Sequence, residues 1–348
     1  MPDVQSTHTT INTVEALDER ISQPTPAVVE MFARLSGDVV VLGVAGKMGP
    51  TLARMASRAS DEAGSPRRVI GVSRFSNPAE RDKLDAWGIE TVAGDLLDDA
   101  FVRTLPAAPN VVFMAGMKFG STGKESLTWA MNTLLPAAVC RHYADSCIAA
   151  FSTGNVYDPS PLHGGGSVET DAPSPRGEYA MSCLGRERTF EHFSRTQGTK
   201  VALLRLNYAA ELRYGVLVDL AQKVWQDQPI DLATGMANVI WQGDANAHAL
   251  LSLEQAASPP CVLNIAGPEQ LSVRRLCERL GEHLGKQPTF VGEPSDSAIL
   301  SNAGKAHRLF GYPAMPIDEL IEHVANWTRT GGELLGKATK FEVRDGKF

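Results

Sequence analysis

The sequence predicts an α/β fold, with a doubly wound parallel sheet followed by a smaller, irregular lobe. Three observations predict it. Short apolar runs alternate with amphipathic segments from Asp38 to Leu206, as strands and crossover helices do. The first run, VVVLG (39–43), is apolar throughout and ends in glycine, as a strand covered on both faces should be. Past residue 208 the alternation loosens.

Each element follows in order. Residues 1–12 are Thr-rich and polar and read as mobile. Two short amphipathic helices follow in 13–35. One carries Val14, Leu17 and Ile21; the other carries Val28, Val29, Phe32 and Leu35, with Pro24 and Pro26 between them. Residues 1–37 thus form an N-terminal helical extension laid against the core. After the first strand a helix runs through Leu52, Met55 and Ala56. Further strands are expected at 67–73, 91–96, 110–116, 147–153 and 200–206, with helices at 82–88, 126–143 and 179–197. Residues 38–208 therefore read as the sheet domain. Residues 209–348 read as the second lobe, with helices at 216–226, 245–256, 272–284 and 317–329 and strands at 238–244 and 262–267.

Composition excludes several classes. Among 348 residues, Asp+Glu number 40 against 33 Lys+Arg, a net charge of -7 that lacks the basic footprint of a nucleic-acid binder. The five cysteines include no C-x-x-C pair, so neither a disulfide framework nor a zinc ribbon is expected. No apolar run approaches the roughly 20 residues that span a bilayer. The N-terminus lacks a basic start and an apolar signal core, so a cytoplasmic location is expected. His142, His192, His248, His283 and His323 fall on predicted helices without close ligand spacing, and no metal is expected.

The most informative segment joins the first strand to its helix. Gly43, Gly46 and Gly49 form G-x-x-G-x-x-G there, enclosing Lys47 and Met48. The first glycine permits a tight turn, the second lets backbone approach a pyrophosphate, and the third lets helix and strand pack closely. Free N–H groups and the helix dipole then hold the anion. Straight after a strand and at the head of a helix, the pattern reads as a Rossmann-type dinucleotide site, the alternative being a flavodoxin-like packing turn with no ligand. Ser73 and Arg74 end the second strand where an NAD-specific site would place an acid; a hydroxyl and a guanidinium suit a 2′-phosphate, so NADP is expected, with NAD second. Asp95 and Leu96 end the third strand, where the Asp side chain meets the adenine amino group. Ala115 and Gly116 end the fourth, where small residues let a cofactor lie on the backbone. Lys118 emerges just beyond, at the carboxyl edge where ligands bind. His163, beside Gly164–Gly166, lies on a loop expected to border a substrate pocket.

With these pieces in place the chain resembles an extended short-chain dehydrogenase/reductase of the NAD-dependent epimerase/dehydratase family, from about Asp38 to the C-terminus. The glycine loop, the Asp95–Leu96 pair, Asn132 in MNTLLPAA, and STGNVY (152–157) match landmarks of that family in order. Tyr179 follows Thr153 by 26 residues, a spacing the family would expect. GDANAHALL (243–251) resembles the segment with which the substrate lobe returns to the first domain, at about 238–257. The resemblance implies that Tyr179 is the acid/base, that Thr153 hydrogen-bonds the substrate oxygen and that Asn132 supports a proton relay. It also implies hydride transfer at a hydroxyl or carbonyl of a carbohydrate-like substrate. Helices 126–143 and 179–197 resemble the pair that forms a dimer interface in the family, so a homodimer is expected.

Two departures qualify the resemblance. The family signature is Y-x-x-x-K, but this helix reads YAMSC, with Cys183 at the place of the lysine that holds the nicotinamide ribose and depresses the tyrosine pKa. A thiol cannot supply that charge. Lys118 and Arg186 are the candidates to replace it, with Lys118 preferred. The other readings are an enzyme working mainly as a reductase, and a fold that only binds the dinucleotide as a sensor or structural ligand. A lyase or isomerase in the same pocket is a further alternative. The second departure is in the substrate lobe, where Asn238–Trp241 stands in place of an arginine that often holds a sugar-nucleotide diphosphate. A compact sugar or sugar acid therefore competes with a nucleotide sugar, and Asn207, Arg213 and Tyr214 are candidate substrate contacts.

Overall fold

The computed structural model describes residues 11–118, 123–337 and 339–343. The Thr-rich start, residues 1–10, lies outside them.

Seven parallel strands form the central sheet: β1 Val39–Leu42, β2 Val69–Ser73, β3 Glu90–Ala93, β4 Asn110–Phe113, β5 Cys147–Thr153, β6 Lys200–Leu206 and β7 Cys261–Ile265. Their spatial order is β7-β6-β5-β4-β1-β2-β3. The order in which strands are added reverses at β1, whose Val39 pairs with Val69 on one side and with Asn110 on the other. The crevice outside the carboxyl ends at such a reversal is where ligands bind in open α/β sheets. All four residues of β1 are buried, as the apolar run required.

The two faces of the sheet carry separate cores. Val39 and Val41 pack with helices Pro26–Arg34, Gly49–Glu62 and Gln242–Leu251. Val40 and Leu42 pack with the segment Glu125–His142 and the helix Gly177–Gln197. A third core gathers Leu217, Leu220, Leu276, Leu280, Ile321 and Val324 in the C-terminal lobe, together with Leu17 and Ile21 of the first helix. The N-terminal extension therefore touches both units, its first helix on the lobe and its second on the sheet. Thr13 and Thr25 begin these helices, accepting from the backbone N–H groups of Ala16 and Val28.

The structure departs from the sequence reading in three places. The strand expected at 262–267 does not belong to the lobe; it pairs in parallel with β6, Leu263 opposite Leu204, and closes the far edge of the sheet. The strand expected at 238–244 is reduced to Ile240–Trp241, because the Ala-rich run after it turns helical at Gln242. The helix expected at 126–143 contains a wide π-type turn over Ala130–Leu134. Pro136 explains that turn: it has no N–H to give the carbonyl of residue 132, and its ring would clash there.

Candidate functional site

The loop after β1 is shaped by its glycines. Gly43 has φ +87, and a Cβ there would lie 2.7 Å from the backbone nitrogen of Ala115. A Cβ on Gly49 would fall 2.1 Å from the carbonyl oxygen of Val44. A Cβ on Gly46 would meet only the carbonyl of Gly43, at 3.2 Å, so its other side faces the cleft. The helix Gly49–Glu62 starts without a side-chain cap, which leaves its first N–H groups available to an anion. Gly43, Gly46, Ser73, Arg74, Asp95, Leu96, Ala115 and Gly116 all line one continuous cleft. Glu80, not singled out in the sequence, lines it too. Arg74 and Asp95 are exposed, and Asp95 accepts from the N–H of Leu97 at 2.9 Å. The backbone cradle and open cleft fit a dinucleotide.

A second cavity opens beside the loop. It is lined by Lys47, Met48, Lys118, Thr153, Tyr179, Asn207 and Tyr214, with Asn155, Tyr208 and Thr339 among others. Thr153 sits at the end of β5 and Tyr179 in the first turn of the helix Gly177–Gln197, and their side chains are hydrogen-bonded. Burial and the neighbouring Cys183 thiol push the Tyr179 phenol well above its ordinary range, while Arg186 and Thr153 pull in the other direction. The phenol therefore stays protonated at neutral pH.

Cys183 is fully buried, hydrogen-bonded to Tyr179, and approached by the Asn132 amide at 3.9 Å. One turn on, Arg186 fills the space beneath β4 and β5. It donates to the carbonyl of Phe151 at 2.7 Å and to the Asn132 side-chain oxygen, and its Nε has no partner. A Cβ at Gly116 would collide with this guanidinium, so glycine there is required by Arg186 beneath it. Asn132, carried on the π-type turn, also donates to Ser182 Oγ at 2.8 Å. Its amide is committed to ordering the helix that bears Tyr179.

Two lysines line the cavity. Burial lowers Lys118 to about 8, against the raising influence of Cys183 and Asp219. Lys47 reaches across to the C-terminal lobe. Its Nζ donates to the carbonyl of Ala209 at 3.2 Å and lies 3.7 Å from the centre of the Tyr214 ring. Burial lowers Lys47 to about 7, opposed by Glu211. The sequence marked Lys47 only as part of the cofactor loop; its side chain faces the second cavity.

Two expected contacts lie elsewhere. Arg213 is held in a buried ion cluster, 3.1 Å from Glu211 and 3.2 Å from Asp18 of the first helix. His163 is exposed on its glycine turn and lines neither cavity. Asn207 lines the cavity but already donates to Asn238 at 2.9 Å. The C-terminal segment carried no sequence signal, yet Thr339 enters both this cavity and its outer continuation. Its N–H and hydroxyl bind Asp219 at 2.8 and 2.5 Å.

Beneath the floor lies a buried polar network. Arg205 and Glu187 pair through three contacts, at 2.8, 3.0 and 3.3 Å. Ser152 donates to Glu187 at 2.6 Å, Arg205 to the Tyr157 oxygen at 2.7 Å, and Tyr157 to Asn264 at 2.9 Å. This network ties β5, β6, β7 and the Tyr179 helix into one block.

Comparison with known proteins agrees with this fold. Residues 39–210 belong to the NAD dependent epimerase/dehydratase family. No curated protein sequence matches the chain significantly. Solved structures share its fold. UDP-glucuronic acid 4-epimerase from Bacillus cereus superposes with a TM-score of 0.68 at 19% identity, over 83% of this chain and 98% of that one. UDP-glucose 4-epimerase from Thermotoga maritima gives 0.69 at 18%, over 84% and 99%. The dTDP-glucose 4,6-dehydratase from Streptomyces venezuelae gives 0.69 at 19%, over 84% and 97%. Among the described residues no helix is long and apolar enough to cross a membrane, and no cluster of three His, Cys, Asp or Glu side chains could hold a metal.

Proposed function

We propose that this chain is an NAD(P)-dependent oxidoreductase or epimerase acting on a hydroxyl or carbonyl of a carbohydrate-like small molecule. The observation that carries the reading is the hydrogen-bonded Tyr179–Thr153 pair, set in a cavity next to a glycine loop shaped for a dinucleotide. When bound, the nicotinamide supplies or removes the hydride. The chain's own residues handle the oxygen: Thr153 Oγ1 hydrogen-bonds it, and Tyr179 Oη exchanges its proton. Because the phenol is held protonated, it serves best where it gives a proton to a carbonyl oxygen. Lys118 supplies positive charge near Cys183, in place of the family lysine. Asn132 and Arg186 position the Tyr179 helix without touching substrate.

Gly43, Gly46 and Gly49, with the backbone of Lys47 and Met48, would hold the pyrophosphate. Ser73 and Arg74 favour NADP by offering a hydroxyl and a cation for the 2′-phosphate; Glu80 on the same wall keeps NAD the second choice. Exposed Leu127, Leu134 and Met181, on the helices beside the sheet, support a homodimer. Five unpaired thiols suit a reducing compartment such as the cytoplasm.

A titration with NADPH and NADH, followed by a screen of sugars and sugar acids for absorbance change at the nicotinamide band, tests the reading. Turnover lost in Tyr179→Phe with dinucleotide binding retained is the expected result. Cys183 favours a second reading, a dinucleotide-binding protein without redox chemistry. Tight dinucleotide binding with no turnover on any substrate would establish it, and activity that survives Tyr179→Phe would point to a lyase or isomerase instead.

A further inference from the structure

The N-terminal helix Val14–Ile21 lies before the family segment, which begins at residue 39. Three consecutive charged residues on it bind both units of the protein. Asp18 is only 2% exposed and divides its carboxylate oxygens between them: one takes the ammonium of Lys83, the other takes Arg213 at 3.2 Å. Lys83 belongs to the sheet unit, on the helix Pro78–Ala86, and Arg213 belongs to the lobe. Glu19 takes Arg54 and Arg58, each at 2.6 Å, on the helix that follows the glycine loop. Arg20 reaches Glu319 on the last helix of the lobe, at 3.9 Å. Leu17 and Ile21 seal the same short helix into the lobe core.

These attachments fall on the walls of both clefts. The helix Pro78–Ala86 carries Glu80, which lines the dinucleotide cleft. Arg213 lies in the turn Glu211–Tyr214, closed by reciprocal backbone bonds between its end residues at 2.9 and 3.4 Å. Glu211 accepts from the Arg213 N–H at 3.0 Å and pairs with its guanidinium at 3.1 Å, so the cation that Asp18 holds is part of the turn's own fold. Tyr214, at the end of that turn, lines the Tyr179 cavity. Glu211 already balances the charge of Arg213. A second buried carboxylate costs desolvation that its pairs regain only in good geometry, and what it adds is a fixed relative position for the cations it joins.

We infer that the N-terminal helix is a strap between sheet and lobe, and that Asp18 is its pin: a positioning residue that sets the Glu211–Tyr214 wall of the Tyr179 cavity before any ligand arrives. Units of one chain move against each other by default, and a cleft between them closes around its ligand. With the strap in place the wall is ordered during folding, and binding does not bear that cost. The inference rests on the proposed function only in reading the cavity as the reaction site. The strap itself is a property of the ligand-free chain, and its test uses neither dinucleotide nor substrate.

Hydrogen exchange of the full chain, followed by mass spectrometry, measures how often the turn opens. Asp18→Asn keeps the shape of the side chain and removes its charge. It should speed exchange of the amides at 211–214 tenfold or more, about 1.4 kcal/mol of opening free energy. Lys83→Met is the sharper variant, because Lys83 is half-buried at the surface and sits across Asp18 from the turn. It should speed the same amides about threefold, less than Asp18→Asn because Glu19 still holds Arg54 and Arg58, and Lys83→Arg should restore their protection. Glu15→Gln removes an exposed charge from the same helix and should change nothing. If Asp18 merely neutralised Arg213, Lys83→Met would exchange like the unaltered chain, and the strap would be refuted. Unchanged exchange in Asp18→Asn, or acceleration shared equally by the lobe helix Val273–Leu284, would overturn it as well. Should Asp18→Asn fail to fold, the two Lys83 variants decide alone. A strap that passes in a protein binding neither NADPH nor NADH would sink the oxidoreductase reading and leave this inference standing.

Discussion

Replacing Cys183 with lysine would restore the family's Y-x-x-x-K spacing, yet the structure predicts that it harms this protein. Cys183 is fully buried, and three residues along the same helix Arg186 is 6% exposed, its guanidinium bound to Phe151 and Asn132. Side chains at i and i+3 lie about 5–6 Å apart. Two like charges at that distance, at an effective dielectric near 20, repel by about 3 kcal/mol. For a chain of 348 residues that is a melting-temperature loss of roughly 4 °C. Removing the guanidinium relieves the repulsion, so Cys183→Lys combined with Arg186→Met should be less destabilised than the two single variants summed. Thermal or urea unfolding of the four proteins gives the coupling directly. Additivity to within about 0.5 kcal/mol would show that the two positions do not compete for one charge, and the account of Arg186 as the cation that excludes a lysine at 183 would be wrong.

Other outcomes follow from the same geometry. Because the Tyr179 phenol lies above its ordinary value of about 10, its ionised fraction grows tenfold per pH unit. At saturating substrate the oxidative kcat should therefore climb with unit slope between pH 7 and 9 while the reductive kcat stays flat; an oxidative plateau near neutrality would show a phenol acidified by some cation. Glu187→Ala strands the Arg205 guanidinium, and should cost about 3–5 kcal/mol in urea unfolding. Arg74→Ala should weaken NADPH about tenfold and leave NADH unaltered, as read by fluorescence titration. Leu134→Glu, at a side chain 67% exposed, should turn a dimer into monomers by analytical ultracentrifugation.

Much of this was legible in residue order. The doubly wound sheet was written in apolar runs such as VVVL, and the dinucleotide loop in three glycines set between a strand and a helix. Thr153 and Tyr179 were found because the resemblance carries their spacing. What escaped depends on contacts between distant segments. Nothing local in VLNIAG tells whether it stays in the lobe or pairs with β6, since that is decided by the open edge of another strand. Lys47 read as loop because its backbone belongs there, whereas its ammonium is aimed by a carbonyl and a ring more than 160 residues away. Arg213 read as a candidate substrate contact because one of the two carboxylates that hold it, Asp18, sits in the N-terminal extension. Thr339 has no local pattern; its bonds to Asp219, 120 residues away, bring it to the cavity.

The Arg205–Glu187 block under the floor has an implication for descent. Each member is satisfied by another, so a lineage that loses one inherits a buried charge or an orphaned hydroxyl, and selection removes it before a second change arrives. Positions 152, 157, 187, 205 and 264 should accordingly be inherited together, kept whole in some branches and exchanged whole for apolar residues in others. Intermediates bearing Arg205 opposite an alanine should be missing from the tree.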